Sequence, residues 1–261
     1  MYILGISCYY HDSAVCLIRN GEIINAIQEE RLTRIKHDNK FPKNSIIEIL
    51  KKNNLSLSQI DKIVFYEKPF LKFERLIETY LSFAPKGISS FLKVIPIWIK
   101  DKIFQKVSIF NELKAIDFNF CDPNKIYFSE HHLSHAASAF YASPFLDAAI
   151  LTIDAVGEWA TSSVAIGSGN KIEIKEEINF PHSIGLLYSS FTYFCGFEVN
   201  SGEYKLMGLA PYGTPIYKDK IINKLIHIKE DGSFRLDQSY FDYATGLTMT
   251  NKKFDDLFGQ K

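Results

Sequence analysis

The opening of the chain has the pattern of a three-stranded meander, and this pattern recurs further along. Apolar runs at residues 2–8 and 13–19 are followed by an Asn-Gly turn and a third run at 22–28. Such runs, bounded by turn residues, are typical of strands joined as hairpins. A helical pattern at 45–52 and a strand-like run at 62–66 come next. The sequence therefore predicts a β-β-β-α-β order for this region.

From residue 148 the strand pattern repeats, with runs at 148–154, 161–166 and 171–178. Each of the two stretches carries an aspartate near its first turn, Asp12 in one and Asp154 in the other. We therefore predict an α/β protein with a duplicated ribonuclease-H-like fold. In such a fold, paired hairpins hold nucleotide phosphates between two lobes.

The remaining segments are predicted to be mostly helical. Residues 69–117 place Phe, Leu, Ile and Lys at helical spacing and predict a helical insertion packed over the core. A strand-like run at 125–128 leads into a histidine-rich helix that ends near Pro144. A second apolar helix is predicted at 183–197. From residue 214 onward we see no closing element, and we expect the chain to stop within a domain.

Three of the seven histidines lie within five residues, between Glu130 and Ala136. On a helix, His131 and His135 share one face, which is the geometry that two imidazoles need to bind one ion. Asp154, at the end of an apolar strand, is a candidate third ligand. This donor set leaves positions open on Fe(II), Zn(II) or Mn(II), so such a site can be catalytic. The alternative is a set of exposed or hydrogen-bonded histidines without a special role.

A second candidate binding segment is residues 202–213, which places three glycines around Lys205. Glycines in such a segment, Gly208 among them, allow the backbone to approach a ligand closely. The alternative is a turn-rich helix boundary with a surface lysine.

Composition excludes several function classes. Lys plus Arg and Asp plus Glu number 30 each, so no strong overall field attracts nucleic acid or an anionic membrane. The first residues lack a signal-peptide pattern, and the hydrophobic region 88–99 is shorter than the ~20 residues that span a bilayer. The four cysteines form no C-x-x-C pair, which is typical of reduced thiols. We expect a cytoplasmic protein without nucleic-acid or membrane partners.

Four groups of segments together resemble the O-carbamoyltransferases of the nodulation and antibiotic-tailoring type, which modify Nod factors, cephamycins and aminoglycosides. Their spread over most of the chain makes chance a poor explanation. These groups are residues 5–7 with 11–14 and 29–31, then 131–140, then 154–161, and finally 202–213.

The resemblance implies an amino-terminal lobe with the actin-type nucleotide-binding fold, related to the ATPase that makes threonylcarbamoyladenosine in tRNA. In the family, a carboxy-terminal lobe converts carbamoyl phosphate and ATP to carbamoyl-adenylate. The amino-terminal lobe then transfers the carbamoyl group to an acceptor hydroxyl, expected to belong to a sugar or natural product. The family has a further acidic metal ligand and the adenylate-forming lobe beyond the point where this chain ends. We therefore expect residues 1–261 to be a truncated amino-terminal lobe that lacks this partner lobe.

The resemblance also implies roles for individual residues. His131, His135 and Asp154 hold the metal, usually taken to be iron, and Asp154 also has a catalytic role. The chemistry of the transfer adds Lys205, which would offset phosphate charge, and Glu158 as a base or as a partner of a metal ligand. The alternative for Glu158 is a solvated or structural carboxylate. The cofactor-binding residues are expected where hairpin turns and glycines approach the phosphates: Asp12, Gly157, Lys205 and Gly208.

Two other functions remain open at this stage. One is an inactive or partial fragment that binds nucleotide or metal and has kept the fold without the chemistry. The other is a tRNA-modification ATPase subunit, which the neutral net charge disfavours.

Overall fold

The computed structural model of the protein describes residues 1–98 and 104–259, apart from a few side chains in the helix before the gap. The chain divides into two compact units. Among the helices in the described ranges, none combines the length and apolarity of a membrane-spanning segment. The first unit contains Met1–Phe70 and Trp98–Ser134, and the second contains Leu71–Ile97 and His135–Lys261.

A five-stranded mixed sheet forms the centre of the first unit. Its strands are β1 (Tyr2–Ser7), β2 (Ala14–Arg19), β3 (Glu22–Gln28), β4 (Lys62–Phe65) and β5 (Ile126–Phe128). The spatial order is β3-β2-β1-β4-β5. The first three strands pair antiparallel as a meander, whereas β4 and β5 are parallel to β1. The predicted strands are all present, with ends that differ by one residue at most.

The residues of the turn and the alternation of more and less buried side chains explain this meander. Asn20 and Gly21 both have positive φ, as a tight hairpin turn between right-twisted strands requires. On β1, Leu4 and Ile6 are buried and alternate with less buried neighbours, so one sheet face covers the core. Two short helices follow, α1 (Glu30–Thr33) and α2 (Lys43–Lys52), and α2 buries Ile46 and Ile49.

The helical spacing at 69–117 corresponds to three helices. They are α3 (Pro69–Phe83), α4 (Ile88–Trp98) and α5 (Gln105–Ile116). Residues 99–103 of the predicted insertion lie outside the described residues. Ile109 and Leu113 of α5 are fully buried in the core of the first unit, so this helix is part of that core. A further helix, α6 (His131–Phe140), begins soon after β5.

The second unit contains a three-stranded antiparallel sheet and two helices that follow it. The strands are β6 (Asp147–Ile153), β7 (Ala160–Ser168) and β8 (Lys171–Asn179), and the helices are α7 (Ile184–Phe194) and α8 (Glu203–Leu209). β6 pairs with β7 and β7 with β8. The likeness between the two sheets is limited to three meander strands each, because this second sheet has no parallel strands among the described residues. The structure is therefore a mixed α/β fold in which complete duplication is not established.

The sequence patterns identified no closing element after residue 214, and the structure shows further helices and strands there. The chain continues through α9 (Lys218–Lys224), β9 (Ile226–Ile228), β10 (Phe234–Leu236) and α10 (Lys252–Phe258). Phe254 and Phe258 of α10 pack edge-on against Phe191 of α7, with ring centroids 5.1 Å apart in both pairs. These apolar side chains come from widely separated segments, so no local periodicity predicts the cluster.

Candidate functional site

The histidine segment forms α6, as its spacing predicted. The Ser134 amide donates to the Glu130 carbonyl at 2.8 Å, which is the hydrogen bond that closes the first turn. Ser134 Oγ also donates to the Tyr66 carbonyl at 2.9 Å and ties this turn to the end of β4. His131 and His135 lie one helical turn apart and share a side of the helix. His132 is buried, with 2% of its surface exposed.

The side chain of His131 lies beside Glu67 and Tyr66 in the first unit. Its Nδ1 atom lies 3.9 Å from Oε2 of Glu67, and its side chain is 12% exposed. The ring packs edge-on against Tyr66, with centroids 5.5 Å apart. Burial raises the pKa of Tyr66 far above its usual range, and the adjacent Glu67 charge adds to this effect. Sequence reasoning missed Glu67, although a carboxylate at the end of an apolar strand was the signal that identified Asp154.

His135 faces Asp154 within the second unit. The His135 Nε2 atom lies 3.6 Å from Oδ2 of Asp154, and their side chains are 50% and 31% exposed. Asp154 follows directly after β6, and its other carboxylate oxygen, Oδ1, accepts a hydrogen bond from the Ala155 amide at 2.7 Å. Its backbone amide donates to the Thr161 carbonyl at 2.8 Å. Asp154 Oδ2 is thereby turned towards the imidazole.

The start of α7 packs closely on the backbone of Asp154. Ser183 Oγ donates to the Asp154 and Ala155 carbonyls at 3.1 and 2.7 Å, and it accepts from the Leu186 amide as the N-cap of α7. A Cβ atom added to Gly185 would lie 2.5 Å from the Asp154 carbonyl oxygen. Glycine at residue 185 is therefore what allows the helix to approach this loop.

The donor set of this region fits a divalent metal. Two ligands held about 2.1 Å from one tetrahedral ion are about 3.4 Å apart. The 3.6 Å separation of His135 Nε2 and Asp154 Oδ2 is close to that value. His131 stands one turn earlier on the same helix and adds a second imidazole to the set. A set of imidazoles and a carboxylate is compatible with Fe, Zn or Mn and does not fix the metal.

Gly157 and Glu158 lie in the turn between β6 and β7. The Gly157 amide donates to the Ala160 carbonyl at 2.9 Å. The amide that we expected near phosphates is therefore hydrogen-bonded within the turn. Glu158 is 7% exposed and lies in the same turn as Asp154. A carboxylate with so little access to water is better placed for a defined contact than for solvation.

Asp12 lies beside two imidazoles in the first unit. Its Oδ1 atom is 3.0 Å from His37 Nδ1, and its Oδ2 atom is 3.1 Å from His11 Nδ1. Glu30 joins this group, because one donor atom each from Asp12, Glu30 and His37 lies within 4.8 Å of the others. Sequence reasoning did not connect His37 with Asp12, because they are 25 residues apart in two loops.

Lys205 and Gly208 lie on α8, and both are exposed. The start of α8 is fixed by Glu203, whose Oε1 accepts from Ser189 Oγ at 2.8 Å and from the Asn200 amide at 3.0 Å. An added Cβ on Gly208 would meet no atom within 4 Å. The segment is thus an anchored helix that presents a lysine and leaves open space over its last turn.

Comparison with known proteins matches the whole chain to one family. The family model described as "Carbamoyltransferase N-terminus" matches residues 2–261. Nodulation protein NolNO of Sinorhizobium fredii is 37% identical over 234 residues, which are 87% of this chain and 32% of that protein.

Two uncharacterized proteins are also similar. One, from Synechocystis sp., is 56% identical over 259 residues, covering 99% of this chain and 42% of that protein. The other, from Methanocaldococcus jannaschii, is 30% identical over 262 residues, covering 82% of this chain and 42% of that protein. The chain therefore spans less than half the length of these relatives.

Proposed function

Because the chain belongs to the carbamoyltransferase family, matching the N-terminal region of its members, we propose that it transfers a carbamoyl group from carbamoyl-adenylate to an acceptor hydroxyl. The observation that supports this most is the His135–Asp154 pair at 3.6 Å, with His131 one turn earlier on α6. The acceptor is a small molecule with a hydroxyl group, of the sugar or natural-product class.

The transfer forms one bond and breaks one. The acceptor oxygen attacks the carbamoyl carbon, the bond from that carbon to the phosphate oxygen breaks, and AMP leaves. The hydroxyl proton must go to a base, and Glu158 is our candidate because its buried carboxylate lies in the same turn as Asp154. Lys205, on an exposed helix, offsets the charge of the phosphate.

His131, His135 and Asp154 would hold a divalent metal, with Fe(II) as our first candidate. A bound metal would supply a Lewis acid for the adenylate phosphate and the carbonyl. The residues of the chain orient the donor. Asp12, Gly157 and Gly208 are proposed to lie near the nucleotide phosphates. Of the three, Gly208 has open space where a Cβ atom would stand.

We assign the formation of carbamoyl-adenylate from carbamoyl phosphate and ATP to a separate adenylate-forming lobe. The greater length of the relatives supports this division of work, since they extend well beyond the region that this chain covers.

The test supplies carbamoyl-adenylate directly, so that its outcome does not depend on where the adenylate is made. AMP release is measured by chromatography with a panel of sugar alcohols and amino sugars as acceptors. We expect release that depends on an acceptor, and a loss of at least 100-fold in Asp154→Asn. The matched control is Asp231→Asn, which removes an exposed carboxylate from the loop between β9 and β10. Nucleotide binding without acceptor-dependent AMP release would instead favour a binding fragment.

A further inference from the structure

Glu67 is a buried carboxylate that the proposed chemistry does not use. It lies two residues after the end of β4, and none of its surface is exposed. A fully buried carboxylate is costly to maintain unless hydrogen bonds or a positive partner stabilise it. Its surroundings therefore indicate what it does.

Two aromatic side chains lie beside this carboxylate. They are His131, the first residue of α6, and Tyr66, the residue before Glu67. Glu67 Oε2 lies 3.9 Å from His131 Nδ1. The Tyr66 side chain hydrogen-bonds to Glu67, and its ring packs edge-on against His131 at 5.5 Å. Ser134 Oγ donates to the Tyr66 carbonyl at 2.9 Å, so the end of β4 and the first turn of α6 hold each other in place.

This arrangement distinguishes the two nitrogens of the His131 ring. The Nδ1 atom is shielded from solvent, whereas the side chain as a whole keeps 12% exposure. The accessible part of the ring therefore excludes Nδ1, and Nε2 is the other ring nitrogen that could bind a metal. By contrast, the side chain of His135 is 50% exposed.

We propose that Glu67 is a positioning residue that accepts the Nδ1–H of His131 and so presents its Nε2 atom to the metal. Metal-bound histidines commonly donate their second ring N–H to a carboxylate, which fixes the tautomer and the ring orientation. At 3.9 Å the two atoms are not hydrogen-bonded in the metal-free structure, and the proposal requires this distance to shorten by about 1 Å when the metal binds. The inference rests on the proposed function, because it takes His131 to be a metal ligand.

The first test compares Glu67→Gln with the wild-type chain and uses Co²⁺ as the probe. Its affinity is measured by competition with a chelator, and its visible absorption bands report the coordination. We expect Glu67→Gln to weaken Co²⁺ binding by about 10–100-fold and Glu67→Asp, which keeps the charge, to lose less. The control is Glu130→Gln. It removes an exposed carboxylate that precedes the same helix and pairs with Lys68 at 2.6 Å. Its affinity should match that of the wild type.

A second readout separates positioning from structural support. The ¹⁵N shifts of the His131 ring in the metal-free protein should show the Nδ1–H tautomer in the wild type. In Glu67→Gln they should show a mixture, because an amide both donates and accepts. A purely structural role would lower the melting temperature and leave the tautomer unchanged.

The outcomes are distinct. Co²⁺ affinity in Glu67→Gln within twofold of the wild type, with an unchanged tautomer, overturns the role of Glu67 and leaves the proposed function intact. A folded wild-type chain that binds no Co²⁺ overturns both the metal site and this inference.

Discussion

Gly185→Ala is the substitution whose effect on the candidate site is most directly set by distances in the structure. The added Cβ would lie 2.5 Å from the Asp154 carbonyl oxygen, 2.6 Å from its carbonyl carbon and 2.7 Å from the Ala155 nitrogen. All three are backbone atoms, so no side-chain rotation relieves the contact. Ordinary contact needs about 3.5 Å, so helix and loop must separate by about 1 Å.

This displacement affects both stability and metal binding. Overpacking of this kind costs about 1–3 kcal/mol, against a gain of at most about 1 kcal/mol from replacing glycine within a helix. Metal ligands tolerate deviations of about 0.2 Å, so a 1 Å shift of Asp154 removes it from the coordination shell. We therefore expect Gly185→Ala to lower the free energy of unfolding by about 1–2 kcal/mol and to weaken Co²⁺ binding more than tenfold.

Urea unfolding and chelator competition measure the two effects, with Gly208→Ala as the matched control. Gly208 also lies in a helix, and a Cβ there would meet no atom within 4 Å, so its free energy of unfolding should stay the same or rise. Wild-type stability and Co²⁺ affinity in Gly185→Ala would refute the reasoning, because α7 would then not lie as close to Asp154 as it does in the structure.

Three further predictions concern buried or partly buried polar groups. Glu29→Gln should cost about 2–3 kcal/mol in urea unfolding, because the Glu29 carboxylate accepts four hydrogen bonds from Asn44 and Ser45 at the start of α2; wild-type stability would contradict this. Ser183→Ala should cost about 1–2 kcal/mol through loss of the α7 N-cap, and a ΔΔG below 0.3 kcal/mol would rule out that role. Burial, with Arg235 nearby, lowers the pKa of His182 below its usual 6.5, so protonation favours the unfolded state. The contribution of His182 to stability should therefore be level above pH 6.5 and decrease below it, and His182→Gln should remove this part of the pH dependence; an unchanged slope would contradict the assignment.

The sequence was sufficient to predict the elements whose signals are local. The Asn20–Gly21 turn and the alternation along β1 define the first meander. The i, i+4 spacing of His131 and His135 similarly defines one face of α6. Asp154 was identifiable because it ends an apolar strand, and the structure places its carboxylate beside His135.

Groups brought together over long sequence separations could not be predicted in this way. Phe191 and Phe254 are 63 residues apart in the sequence, and their ring centroids lie 5.1 Å apart. Glu67 follows β4 and His131 begins α6, and only the packing of the first unit brings their atoms to 3.9 Å. Pair contacts of this kind depend on tertiary structure, whereas periodicity reports only which face of an element is apolar.

The central claim is that His131, His135 and Asp154 hold a metal for carbamoyl transfer, and elemental analysis of anaerobically purified protein tests it most directly. The wild-type chain should contain about one equivalent of metal per chain, and His131→Ala combined with His135→Ala should contain none. His227→Ala, which removes an exposed histidine from β9, should keep the wild-type content. A folded wild-type chain without metal, or a double variant that keeps it, would contradict the account.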